Sequence, residues 1–431
     1  MKRSMSAALL QHSTPKRSPL SASSTLADAP VDVDFGEQGY ARLLKQEARS
    51  IGVCTDVLKS RTRPDRYYAC AFQANRDTLA FNSGIWLLDG NGQRDETFTV
   101  DFSTEGENGK FEPHSLMEDA NGNLLCLGSN SDGPNRLWRF NNAGKPDPNF
   151  AGSGFVDSDQ LLAERLHFRF AATMTDGYVI ACHTPEFNTV LVALSHDGKL
   201  NQRFGEAGVL HLEPQLPGYG AGINSLVVAT HLKRESILLL SMRGEGDAIF
   251  SLLSSINNKG VVDTSFGEQG HVRSENATLY RGVSIGEASS LITLCGGHMF
   301  EDGSMQPQMT RLTATGRPDE AFNAGIPVRF DAAGGMWHHI HEVEDSLMGV
   351  GSFFTHNRAV RYLTNGKLDT TFVPPLGYGS FGALAPNPGF YMDGNSSIAF
   401  VSTAKRMLVC GEVNAMGPDR VDAVVLALAV N

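Results

Sequence analysis

A short motif of the form Asp-x-x-Phe recurs seven times along the chain, usually with Gly and a variable residue ahead of it and often with Gly behind. Its copies read VDVDFGEQG ending at Gly39, GQRDETF at Phe98, GKPDPNF at Phe150, GKLNQRFGEAG at Gly208, VVDTSFGEQG at Gly270, GRPDEAF at Phe322 and GKLDTTF at Phe372. The phenylalanines stand at 35, 98, 150, 204, 266, 322 and 372, one about every 56 residues, a period that marks a repeated supersecondary unit. A unit of this kind buries its apolar face only by stacking on its neighbours, so the repeat constrains the fold more than any other feature.

Three residues before each Phe stands Asp32, Asp95, Asp147, Asn201, Asp263, Asp319 or Asp369. Asp and Asn bond their own backbone two residues on, which tightens a turn. Gly92, Gly144, Gly198, Gly260, Gly316 and Gly366 precede them and suit a positive φ in the same turn. Each Phe is expected in the apolar seam beside its turn, where burial contributes about 1.5–3 kcal/mol.

Between copies run short apolar segments: NLLCLG ending at Gly128, YVIAC at Cys182, SILLLS at Ser241, SLITLCG at Gly296, SLMGVG at Gly351 and RMLVCG at Gly411. These read as buried central strands. A further strand leads to each turn, and with one strand before and one after, a unit holds four strands, the size of a propeller blade. The sequence therefore predicts an all-β fold, a seven-bladed β-propeller of four-stranded blades. The first motif lacks a full strand set before it, and the chain stops at Asn431 where an eighth turn is due. The strand around Phe35 to Leu43 is thus expected to complete the last blade, closing the ring and removing two sheet edges. Residues 30–431 form one domain in this reading, and residues 1–29, rich in Ser and Ala with Lys2, Arg3, Lys16 and Arg17, form a flexible tail.

With GKLDTTF and VDTSFGEQG as its clearest copies, the chain resembles the Delta-60 repeat family, over about residues 31 to 431. Asn201 in place of Asp, and the absent Gly after Phe98, Phe150, Phe322 and Phe372, depart from that pattern. The resemblance implies a propeller-like β fold and no single activity.

The formal charge of -11 disfavours phosphate backbones, so nucleic acid is not expected as a partner. No run of 18 apolar residues exists, so no membrane-spanning helix is expected. The longest apolar run near the start, Ala7 to Leu10, is too short for a signal-peptide core. Cytoplasmic residence is the default expectation, with signal-less export as the alternative. Cys126, Cys182, Cys295 and Cys410 fall at matching places in different central strands and read as small core residues, while Cys54 and Cys70 share the first unit. No disulfide framework is expected.

Arg139, Arg311 and Arg361 recur five residues before a turn Gly. A residue that tracks the structural period is expected to pair with the turn Asp or with backbone carbonyls. In GGMWHHIHEVED, residues 334–345, alternation puts His339 and His341 on one face of a strand and His338 on the other. Such a pair chelates a divalent metal if a third ligand joins, His114 being one candidate, or else lines the channel. No other cofactor is expected. DGNGQRD at 89–95 and DANGN at 119–123 echo calcium loops without completing the pattern, and ordinary hairpin chemistry explains them. Neither a G-x-S-x-G elbow nor a phosphate-binding G-x4-GK[ST] loop occurs.

Function belongs to the loops that break the repeat. EPQLPGYGAG at 213–222 and the Gly- and Pro-rich stretch 374–397 share a face with the loops at 295–308 and 351–358 in a propeller. Tyr219, Trp337, Tyr378, Phe381, Phe390 and Tyr391 are the ligand-contact candidates, suited to stacking on a sugar or docking a protein, or alternatively to capping the channel. The leading expectation is a non-enzymatic binding propeller for a protein or carbohydrate. The alternatives are a metal-dependent hydrolase or lyase acting on a sugar or lactone at the channel mouth, and a structural scaffold.

Overall fold

The computed structural model describes residues 28–29, 31–44, 49–102, 110–130, 133–162, 166–213, 216, 218–229, 235–286, 289–331, 334–343, 345–353, 356–381, 389–391, 398–401, 405–414 and 421–430. Among them the architecture is all-β, with only short helical turns such as Ser158–Leu161.

Five four-stranded sheets follow one another, each an up-and-down meander in chain order. Their first strands are Phe111–Glu118, His167–Met174, Tyr219–Ala229, Thr278–Ile285 and Gly335–Val343. A nine-stranded sheet holds the two ends of the chain. Its N-terminal part is Ser50–Lys59, Arg66–Asn75, Phe81–Asp89 and Arg94–Asp101; its C-terminal part includes Ile398–Val401, Arg406–Asn414 and Val421–Ala429. The two parts meet at one parallel pair, Ile51 with Val421. Tyr40–Arg42 pairs antiparallel with Val424–Leu426, so a segment near the start of the chain lies on its last strand.

The second strand of each meander is covered on both faces, which is why it reads as an unbroken apolar run rather than an alternating one. Leu125 and Leu127 of one sheet pack with Ile180, Cys182 and Val190 of the next in a single cluster. Val179 and Ala181, on the opposite face of that second sheet, join Leu239 and Leu252 of the third. The core is therefore a set of seams between sheets.

The turn motif performs as its residues require. In all seven copies the Asp or Asn side chain accepts the backbone N–H two residues on, at 3.0–3.2 Å, Asn201 serving as well as the six aspartates. All seven phenylalanines are buried. The copy at Asp95 differs in that the strand Arg94–Asp101 runs through it, because the β-forming Thr99 and Val100 follow Phe98 where small residues follow Phe in most other copies.

Phe35, Phe98, Phe150, Phe204 and Phe266 also lie against the glycine of the next turn along the chain. The Gly198 turn, at φ +81°, lies over Phe150, and a Cβ there would stand 3.0 Å from the ring and 2.9 Å from the Ala151 nitrogen. Ala151 N–H donates to Asp197 carbonyl at 2.8 Å, and Gly36 N–H donates to Asn91 carbonyl at 2.7 Å in the same way. Gly in this turn is thus required for space as well as for φ. The recurring arginines pair inside their own turns: Arg139 with Asp147 at 2.7 Å, Arg311 with Asp319 at 2.6 Å and Arg361 with Asp369 at 2.7 Å. All six cysteines are free and buried.

Candidate functional site

The first strand of each sheet carries a β-bulge, and the bulges repeat. In the first five four-stranded or half-sheets and in Gly335–Val343, pairing with the second strand skips Thr55, His114, Arg169, Asn224, Arg281 or His338. A bulge inserts a residue and re-aims its side chain. These six skipped residues are all polar; a second shift in Tyr219–Ala229, between Gly220 and Gly222, skips Ala221.

Four of these six side chains are held within the scaffold. Thr55 Oγ1 donates to Pro113 carbonyl at 2.7 Å, and Asn224 Nδ2 donates to Tyr280 carbonyl at 2.8 Å. Each thereby ties one sheet to the residue just ahead of the next sheet's bulge. His114 Nε2 bonds Ser129 Oγ at 2.8 Å, and His338 Nε2 bonds Ser352 Oγ at 2.5 Å. Arg169 and Arg281 make no ion pair or hydrogen bond among the described residues.

These strands enclose a cavity of about 530 Å3. Residues from six sheets line it, among them Asp56, His114, Arg169, Asn224, Arg281 and His339, with His167 and His183 beside Arg169. The His167 and His183 rings lie 5.2 Å apart, centroid to centroid. Burial pushes the His183 imidazole below its ordinary value; the bond to Thr184 carbonyl opposes this, and Arg169 and His167 lower it further. Partial desolvation likewise lowers both guanidiniums, which line the cavity and stay exposed to solvent. Asp56 is the one carboxylate among the lining residues, and its Oδ2 accepts Leu116 N–H at 2.6 Å. The wall of this acidic chain's cavity thus sets one carboxylate and two guanidiniums among neutral polar and apolar side chains.

The residues singled out from the sequence fare differently. Trp337 and Phe381 are core residues, 0% and 3% exposed, and are corrected from ligand contacts to packing. Trp337 is set edge-on to Phe330 and Phe353, just ahead of the bulge that skips His338. Tyr378 is half-buried with its ring 4.8 Å from Phe330. Tyr219 opens the strand Tyr219–Ala229, and Phe390 and Tyr391 lie in a strand paired with Glu412–Val413, their side chains falling outside the described residues. Residues 382–388 and 392–397 of the long loop also lie outside them. In the loop at 213–222, Glu213 pairs at 2.7 Å with the fully buried Arg243, whose guanidinium also donates to Gly218 carbonyl at 2.6 Å. That end of the loop is pinned to its sheet.

His339 borders the cavity, whereas His341 is exposed. Burial and the neighbouring His338 lower His339 to about 3, and its Nε2 is buried without a hydrogen-bond partner among the described residues. Among the described residues no group of three or more His, Cys, Asp and Glu side chains is placed to hold a metal ion. The bulge residues are set by pairing between first and second strands, which local residue spacing does not encode. Their sequence signal is weak: the bulge residue is the lone polar residue of its triplet only in FRF and YRG, and CTD, PHS, INS and WHH each hold a second one.

Residues 346–372 match the family described as "Domain of unknown function (DUF5122) beta-propeller". No curated protein matches the chain. Among solved structures it is similar to the polysaccharide lyase Uly1, at 10% identity over 94% of this chain and 98% of that one, with a TM-score of 0.50. It is also similar to the beta-propeller domain of the Trilobed protease from Pyrococcus furiosus, at 9% identity over 88% and 96% with a TM-score of 0.45. The Nup133 beta-propeller domain of Vanderwaltozyma polyspora gives 10% over 86% and 99%, with a TM-score of 0.44. At such identities a likeness speaks of fold alone. Consecutive four-stranded meanders and the matched family description make this a β-propeller type of repeat fold.

Proposed function

We propose that the chain is a closed seven-bladed propeller of the Delta-60 repeat type that binds a polar organic ligand, a carbohydrate, in the cavity ringed by its first strands. Closure is supported by contacts of the first turn motif in two directions. Asp32 N–H donates to Ala427 carbonyl at 2.9 Å, and Gly36 N–H donates to Asn91 carbonyl at 2.7 Å. The motif at Phe35 thereby bridges the last strand of the chain and the first sheet, the nine-stranded sheet being two blades joined edge to edge.

The observation that carries the binding reading is the cavity itself. Its volume of about 530 Å3 falls within the span of roughly 300–1,000 Å3 of small-molecule sites. Its lining alternates polar bulge residues with Phe72, Phe168, Phe170 and Ile340, the mixture of apolar walls and few directed polar groups that orients a sugar. Binding rather than catalysis is the reading adopted because the mixed apolar and polar wall offers contacts along a whole sugar, although Ser129 and His114 in the same lining meet at 2.8 Å.

The test is a glycan array of neutral and acidic oligosaccharides, probed with the full chain and with the cavity-filling variant Ser225→Trp. Binding by the full chain that Ser225→Trp abolishes, with the thermal transition retained, is the expected result. An array without a bound sugar, or equal binding by both proteins, would overturn it.

A further inference from the structure

Six first strands each present one bulge side chain, and only two of these side chains remain uncommitted: Arg169 and Arg281. A guanidinium is always charged, is weakly hydrated for a cation and presents a planar fork of donors that matches an oxyanion. Both arginines are exposed on the open cavity wall and neither meets a carboxylate among the described residues, so an oxyanion entering the cavity has access to two guanidiniums whose charge no side chain offsets. The sheet order sets Arg169 and Arg281 on either side of Asn224, on alternate sheets facing one cavity. His167, His183 and His114 add imidazole donors to the same wall. The lone carboxylate in the lining, Asp56, accepts Leu116 N–H.

We infer that this wall is an oxyanion site: Arg169 and Arg281 bind a carboxylate or sulfate borne by the ligand, with the His167–His183 pair donating beside them. The inference rests on the cavity reading above and deepens it, since it assigns the ligand to the acidic saccharides. The two arginines hold the anion, the aromatic and aliphatic wall holds the sugar rings, and Asn224 lies between the two guanidiniums in sheet order. His183 is held below its ordinary value by burial first and then by Arg169 and His167, so an anion seated beside it favours its imidazolium.

The test uses the full chain and three probes: oligogalacturonate for the carboxylate, a sulfated galactan oligomer for the sulfate, and the neutral galactan oligomer of equal length. Calorimetric titration is expected to give binding of one or both acidic oligomers at least about tenfold tighter than the neutral one, with Arg169→Gln and Arg281→Gln each weakening it about tenfold. The two acidic arms identify which oxyanion is preferred. A second readout needs no sugar: inorganic sulfate should raise the His183 pKa, followed by imidazole NMR, in the full chain and not in Arg169→Gln. Equal affinity for neutral and acidic oligomers, or unchanged affinity in both Arg variants, overturns the oxyanion site and leaves the cavity reading standing. Absence of binding by all three oligomers, with no response of His183 to sulfate, overturns both. Thermal transitions of both Arg variants like that of the full chain separate a lost contact from a lost fold.

Discussion

The guanidinium of Arg406 lies 2.6 Å from the carboxylate of Asp32, across 374 residues of chain. The pair has the chemistry of the Arg–Asp pairs within the other turns, but its arginine comes from a different strand. Asp147 N–H bonds the carbonyl of Arg139, its own ion partner, whereas Asp32 N–H bonds the carbonyl of Ala427. With alanine at that place, Arg406 reaches across from the neighbouring strand, where it faces Ala429. It also donates to Gly90 carbonyl, in the turn of the N-terminal half-sheet.

Removing one member of this shielded pair strands the other. Arg406→Met is expected to destabilise the protein by about 3 kcal/mol, and the double variant with Asp32→Asn by less than the sum of the two single effects. Urea unfolding of the three variants measures this. A strictly additive result would show that the two groups do not couple.

Gly198 and Gly303 separate space from backbone angle. Both have a positive φ, +81° and +77°, but only at Gly198 would a Cβ meet neighbouring atoms, whereas at Gly303 nothing lies within 4 Å. Gly303→Ala should cost about 1 kcal/mol for the left-handed angle alone, and Gly198→Ala about 2 kcal/mol or more once the clash with Ala151 and Phe150 is added. Equal losses in thermal unfolding would refute the spacing role of the turn glycine.

Acid should loosen the turns that carry a paired aspartate. Burial pushes the Asp147 carboxyl up, but the bonds from Asn149 and the Arg139 guanidinium outweigh it and hold the group below its usual 3.8. Asp369 is held low in the same way by Thr371 and Arg361. A depressed carboxyl contributes stability that is present above its unfolded pKa and lost as pH falls through the folded one. Stability should therefore drop as pH falls below about 4, and Asp147→Asn should flatten that slope. An unchanged slope in the variant would remove Asp147 from the account.

The thiols should be inert in the folded protein. All six cysteines are buried, and burial raises Cys54, Cys70 and Cys126 well above the ordinary thiol value and Cys295 to about 12. A thiol reagent that reads thiolate should find none of them in the native state and all six after denaturation. Rapid native labelling of any one would indicate local opening.

The turns were legible because they are local. The contact between Asp147 and Asn149 spans two residues, so residue type and spacing carry it whole, and the same holds for Phe150 and Gly198 recurring with the period. The cavity wall was not legible in that way. Arg169 carries no local mark that separates it from Arg139, which stands in a turn and finds its aspartate there. Trp337 is a core residue beside a bulge that skips His338, and simple strand alternation does not foresee that shift.

What the chain determined by itself is the set of contacts made within one repeat: the Asx turns, the buried phenylalanines, the central strands and the arginines that pair within their own turns. What only the tertiary structure decided is which residues of different repeats share a space. Arg406 meets Asp32, and Arg169 shares a cavity with Arg281, because stacked sheets bring together positions far apart in the chain. That registration depends on bulges and sheet order, which leave only a faint trace in any single repeat.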